Sequence, residues 1–170
     1  KILSNIVPEA ISCLPEEILN FIRVFQQARD EDCQRVELYY SSNGIQCDVR
    51  PFFDDVASYL SEAQLIISRS GASSVADIGV IGRPSILIPL ESAVRDEQTL
   101  NAYPLKKLHA ATVIAEHNLS VKRLSNTIRK ILSSPERASK MAANARKTVT
   151  LEATKQLADR VEEISGYPVT

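Results

Sequence analysis

QLIISRSGASSVAD, Gln64 to Asp77, is the stretch whose reading decides the fold. Leu65, Ile66 and Ile67 form a short apolar run of the kind a parallel strand shows when both of its faces are covered. Ser70, Gly71, Ala72, Ser73 and Ser74 follow with almost no side-chain bulk. The pattern then turns helical, with Val75, Ile78 and Gly82 on one face, Gly82 placed to cap the C-terminus and Pro84 to stop it. A strand running through a Gly/Ser turn into a helix makes an anion site, because unpaired N–H groups and the positive end of the helix dipole face the same small space. These residues point to a nucleotide diphosphate held at the start of the helix beginning near Ser73. On the turn alone a steric reading stands beside it, since tight strand-to-helix turns use small residues with or without a ligand.

Outward from this stretch the chain alternates. Upstream, residues 2–20 read as helix with a break near Pro15, and Phe21 to Gln27 as a strand. Arg29 to Ser42 is a helix whose first turn carries Asp30, Glu31 and Asp32, where negative charge suits the dipole. Asn43-Gly44 ends it, Ile45 to Arg50 is a strand closed by Pro51, and Asp54 and Asp55 open a helix through Val56, Tyr59 and Leu60. Downstream, Ser85 to Leu90 (SILIPL) repeats the buried-strand pattern and Glu91 to Asp96 is a polar loop. Glu97 to His109 reads as a helix interrupted by Pro104, and Thr112 to Ala115 as a last short strand. Alternation of this kind implies right-handed crossovers and an α/β fold, a Rossmann-like parallel sheet with helices on both faces. The loops at Arg50 to Asp54, Arg69 to Ser74 and Leu90 to Gln98 then leave the C-terminal ends of strands and share the rim where such sheets bind ligands. From Ser120 onward the pattern is purely helical, as Val121 to Leu132, Glu136 to Thr148 and Leu151 to Ile164, with breaks near Pro135 and Thr150. Residues 1–170 read as one domain, with 120–170 as its helical tail.

Composition narrows the function classes. The chain is 44% hydrophobic and 24% charged with a net charge of −1, which is ordinary for a globular protein with a sizeable core. No apolar run approaches the roughly 20 residues of a membrane-spanning helix, and no signal peptide is apparent, so the reading is cytoplasmic. Cys13, Cys33 and Cys47 are widely spaced with no CxxC, and read as buried or incidental thiols. Aromatic content of 5% with no Trp argues against a stacking platform for single-stranded nucleic acid. There is no GxGxxG and no Walker motif. Val121 to Lys147 carries Lys122, Arg123, Arg129, Lys130, Arg137, Lys140, Arg146 and Lys147 against one acid, Glu136. A solvated outer face is the commoner reading of such a run, and contact with an anionic lipid surface or nucleic acid is the other. His109 and His117 have no ligand or triad partners at useful spacing, and Asp54 and Asp55, about 100° apart on a helix, make no acid/base pair. Lys1 is not Met and the helical pattern starts at once, so the chain is expected to begin inside something larger.

RSGASSVADIGVIGRPSILIPL followed by DEQTLNAYPLKKL resembles the C-terminal half of the MurG family of N-acetylglucosaminyltransferases, which make lipid II for peptidoglycan. PFFDDV (Pro51 to Val56) and MAANAR (Met141 to Arg146) fall where that family has comparable segments. The resemblance implies one half of a glycosyltransferase B fold, the donor domain, beginning just after the family's GGSQGA loop. It implies UDP-N-acetylglucosamine as donor, lipid I as acceptor held by an N-terminal domain, a peripheral place on the inner face of the cell membrane, no nucleic acid partner and no cofactor. Residue by residue, it implies that Ala72, Ser73, Ser74, Val75, Ala76 and Asp77 surround the diphosphate and ribose. Ser74 stands where Thr is usual and keeps the hydroxyl; Asp77 stands where Glu is usual and keeps a carboxylate one methylene shorter for the ribose hydroxyls. Phe53 falls beside the uracil, where its backbone would read the base edge, and Gln98 matches the glutamine that contacts the donor sugar. Glu97 replaces an amide or imidazole, and His109 sits where the family usually has Gly.

Each of these residues also has a plainer reading. Asp77 could be a first-turn acid that only complements the dipole, Gln98 and Glu97 could be capping residues, and Phe53 after Pro51 could be core. In the implied reaction an acceptor hydroxyl attacks the anomeric carbon and UDP departs, so groups aimed at the β-phosphate stabilise the transition state more than the ground state. No general base and no carboxylate cluster for a metal is identifiable, and the chain by itself is expected to bind UDP weakly and transfer nothing. Two other readings stand: a different nucleotide-sugar glycosyltransferase or epimerase of this fold, and a non-enzymatic α/β interaction domain.

Overall fold

A computed structural model describes residues 1–92 and 96–148. Helices α1 (Ile2–Ser12) and α2 (Glu16–Leu19) lead into strand β1 (Arg23–Gln27), then α3 (Asp30–Ser42), β2 (Gln46–Arg50), α4 (Val56–Glu62) and β3 (Ile66–Ser68). The chain continues through α5 (Ala72–Ile81), β4 (Ser85–Leu87), α6 (Glu97–Lys107) and β5 (Ala111–Val113). A 3-10 turn at Glu116–Asn118 precedes α7 (Val121–Leu132) and α8 (Pro135–Arg146). The helix expected over Leu151 to Ile164 lies outside the described residues.

Among the described residues every paired strand is parallel, as the alternation implied, but the strands form two hydrogen-bonded ladders rather than one continuous sheet: β1–β2, and β3–β4–β5. A shared core joins them. Val24 of β1, Cys47 and Val49 of β2, and Ile67, Ile86, Ile88 and Ile114 around the other ladder pack on a cluster with Val7, Ile11, Val36, Tyr40, Leu124, Ile128 and Ile131. The alternate strand residues Ile66 and Leu87 point the other way, into a second cluster with Ile78, Ala102, Leu105, Ala110 and Ala145. The period-two alternation of a strand therefore sends α1, α3 and α7 to one face and α5 and α6 to the other. Met141 and Ala145 place α8 against both clusters.

Local chemistry sets the boundaries. The strand read from SILIPL ends at Leu87, with the Ile88 N–H making one more bond to Ser68 O at 2.9 Å; Pro89 has no N–H to extend the ladder. Pro104 does not interrupt α6, which runs unbroken from Glu97 to Lys107. Near the C-terminal end and exposed, that proline removes one i−4 bond without a neighbour that would force the helix apart. Gly82 caps α5 at φ 72°, and the Arg146 side chain lies directly over it, its Nη2 3.5 Å from Ile81 O. Of the cysteines, Cys33 and Cys47 are half-buried, with their thiols pushed up chiefly by burial, while Cys13 is exposed. The incidental-thiol reading fits Cys13; the buried one fits none of them fully.

Candidate functional site

The chain leaves β3 at Ser68 and enters α5 at Ala72, so the Arg69 to Ser74 turn lies at the C-terminal rim of the three-stranded ladder. Gly71 is the N-cap, with φ −61° and ψ 151°, and no side chain caps the helix. The Val75 N–H makes the first helical bond, to Gly71 O at 3.0 Å. The N–H groups of Ala72, Ser73 and Ser74 meet no acceptor among the described residues. Ala72 and Ser73 are exposed and Ser74 half-buried, so the mouth of the helix is open. A Cβ built on Gly71 would meet nothing within 4 Å. Neither backbone conformation nor packing demands glycine there, and the steric explanation of the small residues fails at this position.

Asp77 is not a first-turn acid. The first turn of α5 contains no acid, and Asp77 stands one turn further along, four residues after Ser73 and on the same face. Side chains of a helix lean toward its N-terminus, so the exposed carboxylate of Asp77 inclines toward the mouth. Ala76 is exposed and Val75 half-buried beside it.

Gln98 joins this site through Ser70, which is fully buried. The Ser70 hydroxyl donates to Gln98 O at 2.8 Å, and Asn101 Nδ2 donates back to Ser70 O at 3.2 Å. Gln98 Oε1 accepts from the Leu90 N–H at 3.0 Å, while its Nε2 group has no partner among the described residues. The amide is thus oriented by its oxygen and presents its donors. Gln98 lies in the first turn of α6 but does not cap it. Glu97, the first residue of that helix, is exposed.

Phe53 has its ring in the packing, the plainer of its two readings. It is 7% exposed, with its ring edge-on to Tyr59 at a centroid distance of 4.9 Å and the Arg50 guanidinium 5.5 Å from its centroid. Its ring belongs to the packing and only its backbone could serve a ligand. The neighbouring Phe52, 65% exposed, presents an aromatic face beyond the end of β2. Asp55 caps α4, its carboxylate accepting from the Ser58 N–H at 3.1 Å, and the Ser58 hydroxyl first, then this N–H, hold the carboxyl below its ordinary range.

Sequence reading missed the braces of the rim. Arg69 Nη1 donates to Ile88 O and to Pro89 O, each at 3.1 Å, and pairs with Glu116. One side chain thereby fixes the ends of β3 and β4 and the turn after β5. His117, read as lacking a partner, pairs with Glu91: its backbone N–H donates to Glu91 Oε1 at 2.8 Å and its ring Nδ1 meets the same oxygen. The His117 backbone N–H, then its ring, hold the Glu91 carboxyl below the usual range, and the charge of Arg69 adds to this. Among the described residues no three His, Cys, Asp or Glu side chains gather where a metal ion could sit.

Comparison with known proteins fits this geometry. The sequence matches the glycosyltransferase family 28 C-terminal domain over residues 1–161. It is 44% identical over 163 residues to the UDP-N-acetylglucosamine--N-acetylmuramyl-(pentapeptide) pyrophosphoryl-undecaprenol N-acetylglucosamine transferase of Caulobacter vibrioides, covering 96% of this chain and 45% of the relative. To the protein of the same name from Rhodopseudomonas palustris it is 41% identical over 168 residues, covering 99% and 45%. The crystal structure of Acinetobacter baumannii MurG superposes with a TM-score of 0.82 at 27% identity, over 95% of this chain and 46% of that one. The chain spans about half the length of these relatives. With the parallel ladders, the open α5 mouth and a match over nearly all of its length, the chain belongs to the glycosyltransferase family 28 C-terminal domain family.

Proposed function

We propose that this chain is the donor-binding half of an inverting N-acetylglucosaminyltransferase that takes N-acetylglucosamine from UDP-N-acetylglucosamine and transfers it to lipid I, forming lipid II in peptidoglycan synthesis. The observation that carries this reading is the uncapped, open start of α5, where the N–H groups of Ala72, Ser73 and Ser74 converge beside a glycine that the protein's own packing does not require. Donors so placed suit the diphosphate of a nucleotide sugar. The names of the relatives supply the substrate class: they specify a UDP-N-acetylglucosamine donor and a pyrophosphoryl-undecaprenol acceptor.

In this reading the N–H groups at the α5 mouth and the Ser74 hydroxyl bind the diphosphate, and Asp77 accepts hydrogen bonds from the ribose. Gln98, held by Leu90 and reached through Ser70, offers its Nε2 donors to the sugar. The backbone at Phe53 reads the uracil edge, with the exposed ring of Phe52 available beside it. As the acceptor hydroxyl attacks the anomeric carbon and the bond to UDP breaks, negative charge grows on the β-phosphate. Prealigned N–H donors stabilise that charge without reorganising. The acceptor and the group that takes its proton belong to an N-terminal domain. A lipid-linked acceptor places the enzyme peripherally on the inner face of the membrane; among the described residues no helix is long and apolar enough to cross one.

The test is titration calorimetry of the chain with UDP, UDP-N-acetylglucosamine and UDP-glucose, with Gly71→Ala alongside. The expected result is saturable UDP binding that a methyl group at position 71 weakens although the fold is undisturbed. Equal affinity in wild type and Gly71→Ala, or no binding by a chain carrying its N-terminal domain, would sink the reading.

A further inference from the structure

Two surface cavities lie away from the α5 mouth. One, of about 310 Å³, is lined by His109, Ala111, Thr112, Arg137, Lys140 and Met141. The other, of about 550 Å³, shares Arg137 and Lys140 and adds Lys130, Ser134 and Glu136. Ala111 is the first residue of β5, so this groove sits at the N-terminal rim of the ladder, on the opposite side from the donor site.

Its chemistry is one-sided. No carboxylate lines the first cavity, and Glu136 alone lines the second. Arg137 and Lys140 are three residues apart on α8, on neighbouring positions of one face. Among the described residues neither they nor Lys130 take part in an ion pair. Lys106 and Lys107, exposed in the last turn of α6, add positive charge beside His109.

His109 borders the groove for a structural reason: it is the exposed residue that closes α6, at φ 56°, with its N–H donating to Lys106 O at 3.0 Å and the Ala110 N–H donating to Leu105 O at 2.8 Å. An imidazole, a guanidinium fork, an ammonium and the Thr112 hydroxyl around a carboxylate-free space form a donor set for a phosphate oxyanion.

We propose that Arg137, Lys140 and His109 form a second anion site, separate from the donor site, that takes a phosphate group, either free or on a lipid headgroup. Titrating the 15N-labelled chain with inorganic phosphate is expected to shift the resonances of His109, Arg137 and Lys140 saturably. The double variant Arg137→Gln/Lys140→Gln weakens that binding by roughly tenfold or more, as expected for the loss of two charge-assisted bonds, while UDP titrations on the same samples are unchanged. His109→Gly raises Tm by a few degrees through relief of the backbone and lowers phosphate affinity; a purely structural His109 would raise Tm and leave affinity alone. Sedimentation with phosphatidylglycerol vesicles, against phosphatidylcholine vesicles, separates the sources. Phosphatidylglycerol-dependent sedimentation lost in the double variant assigns the site to a lipid headgroup, and phosphate binding without sedimentation assigns it to a free phosphate compound. Phosphate shifts confined to Ala72 to Ser74, or shifts and sedimentation both indifferent to the double variant with circular dichroism unaltered, would overturn the proposal.

Discussion

The hydroxyl of Ser70 donates to the backbone carbonyl of Gln98 at 2.8 Å, and so ties the residue before the α5 N-cap to the first turn of α6. Because Ser70 is fully buried, removing the hydroxyl deletes this tie and leaves Gln98 O with its helical partner in α6 alone. Ser70→Ala is expected to destabilise the chain by about 1 to 3 kcal/mol and to loosen Gln98 relative to the α5 mouth. Denaturant unfolding reads the first effect. A fall in the preference for UDP-N-acetylglucosamine over UDP reads the second.

Gln98 has two separable halves. Its oxygen accepts from the Leu90 N–H, and its Nε2 group has no partner among the described residues. Gln98→Glu keeps the acceptor and removes the donors, so stability should hold while the advantage of UDP-N-acetylglucosamine over UDP disappears. Loss of stability with unchanged discrimination would assign Gln98 to packing alone.

At the α5 mouth, Ser74→Ala and Asp77→Ala should each weaken UDP binding by about 1 to 3 kcal/mol, the cost of losing a hydrogen bond to a charged partner. Both positions are at most half-buried, and stability should change little. Calorimetry showing full affinity in both variants would put the nucleotide elsewhere.

Gly82 is needed where Gly71 is not. Its φ of 72° is left-handed, and the Arg146 side chain occupies the space a Cβ would take. Gly82→Ala should cost about 1 to 2 kcal/mol from the backbone alone, and more as Arg146 is displaced from the C-terminus of α5. Thermal unfolding checks this, and a neutral Gly82→Ala would contradict the described cap.

Acid should loosen the rim through Glu91. Its carboxyl is held below its ordinary value in the folded chain by the His117 backbone N–H first. A depressed folded value means that the stabilisation is present at pH above the unfolded carboxyl range, about 4.3 for Glu, and is lost as pH falls through the lower folded value. Unfolding midpoints of wild type should therefore drop more steeply below about pH 4.3 than those of Glu91→Gln. Parallel curves would remove Glu91 from the acid response.

The order of elements was legible because its signals are local. Asp55 next to a helical pattern, Gly82 ahead of Pro84 and the apolar run at Leu65 to Ile67 each act on residues within about a turn of themselves. Where expectation and structure part, a distant partner or a neighbouring ring decides. SILIPL reads as one strand until Pro89 withholds its N–H, and of the two readings of the Phe53 ring the packing against Tyr59 fits the core one.

By itself the sequence determined the alternating α/β order, the small-residue entry to α5 and the positions of Ser74, Asp77 and Gln98, since periodicity, turn chemistry and helix caps are written within a few neighbouring residues. The tertiary structure alone decided that Ser70 is a brace, that Arg69 reaches Glu116 across 47 residues of chain, and that Gly71 borders open space. Those relations depend on the parallel register that brings the ends of β3, β4 and β5 together at one rim, and no local pattern encodes a register between strands that are separated by whole helices.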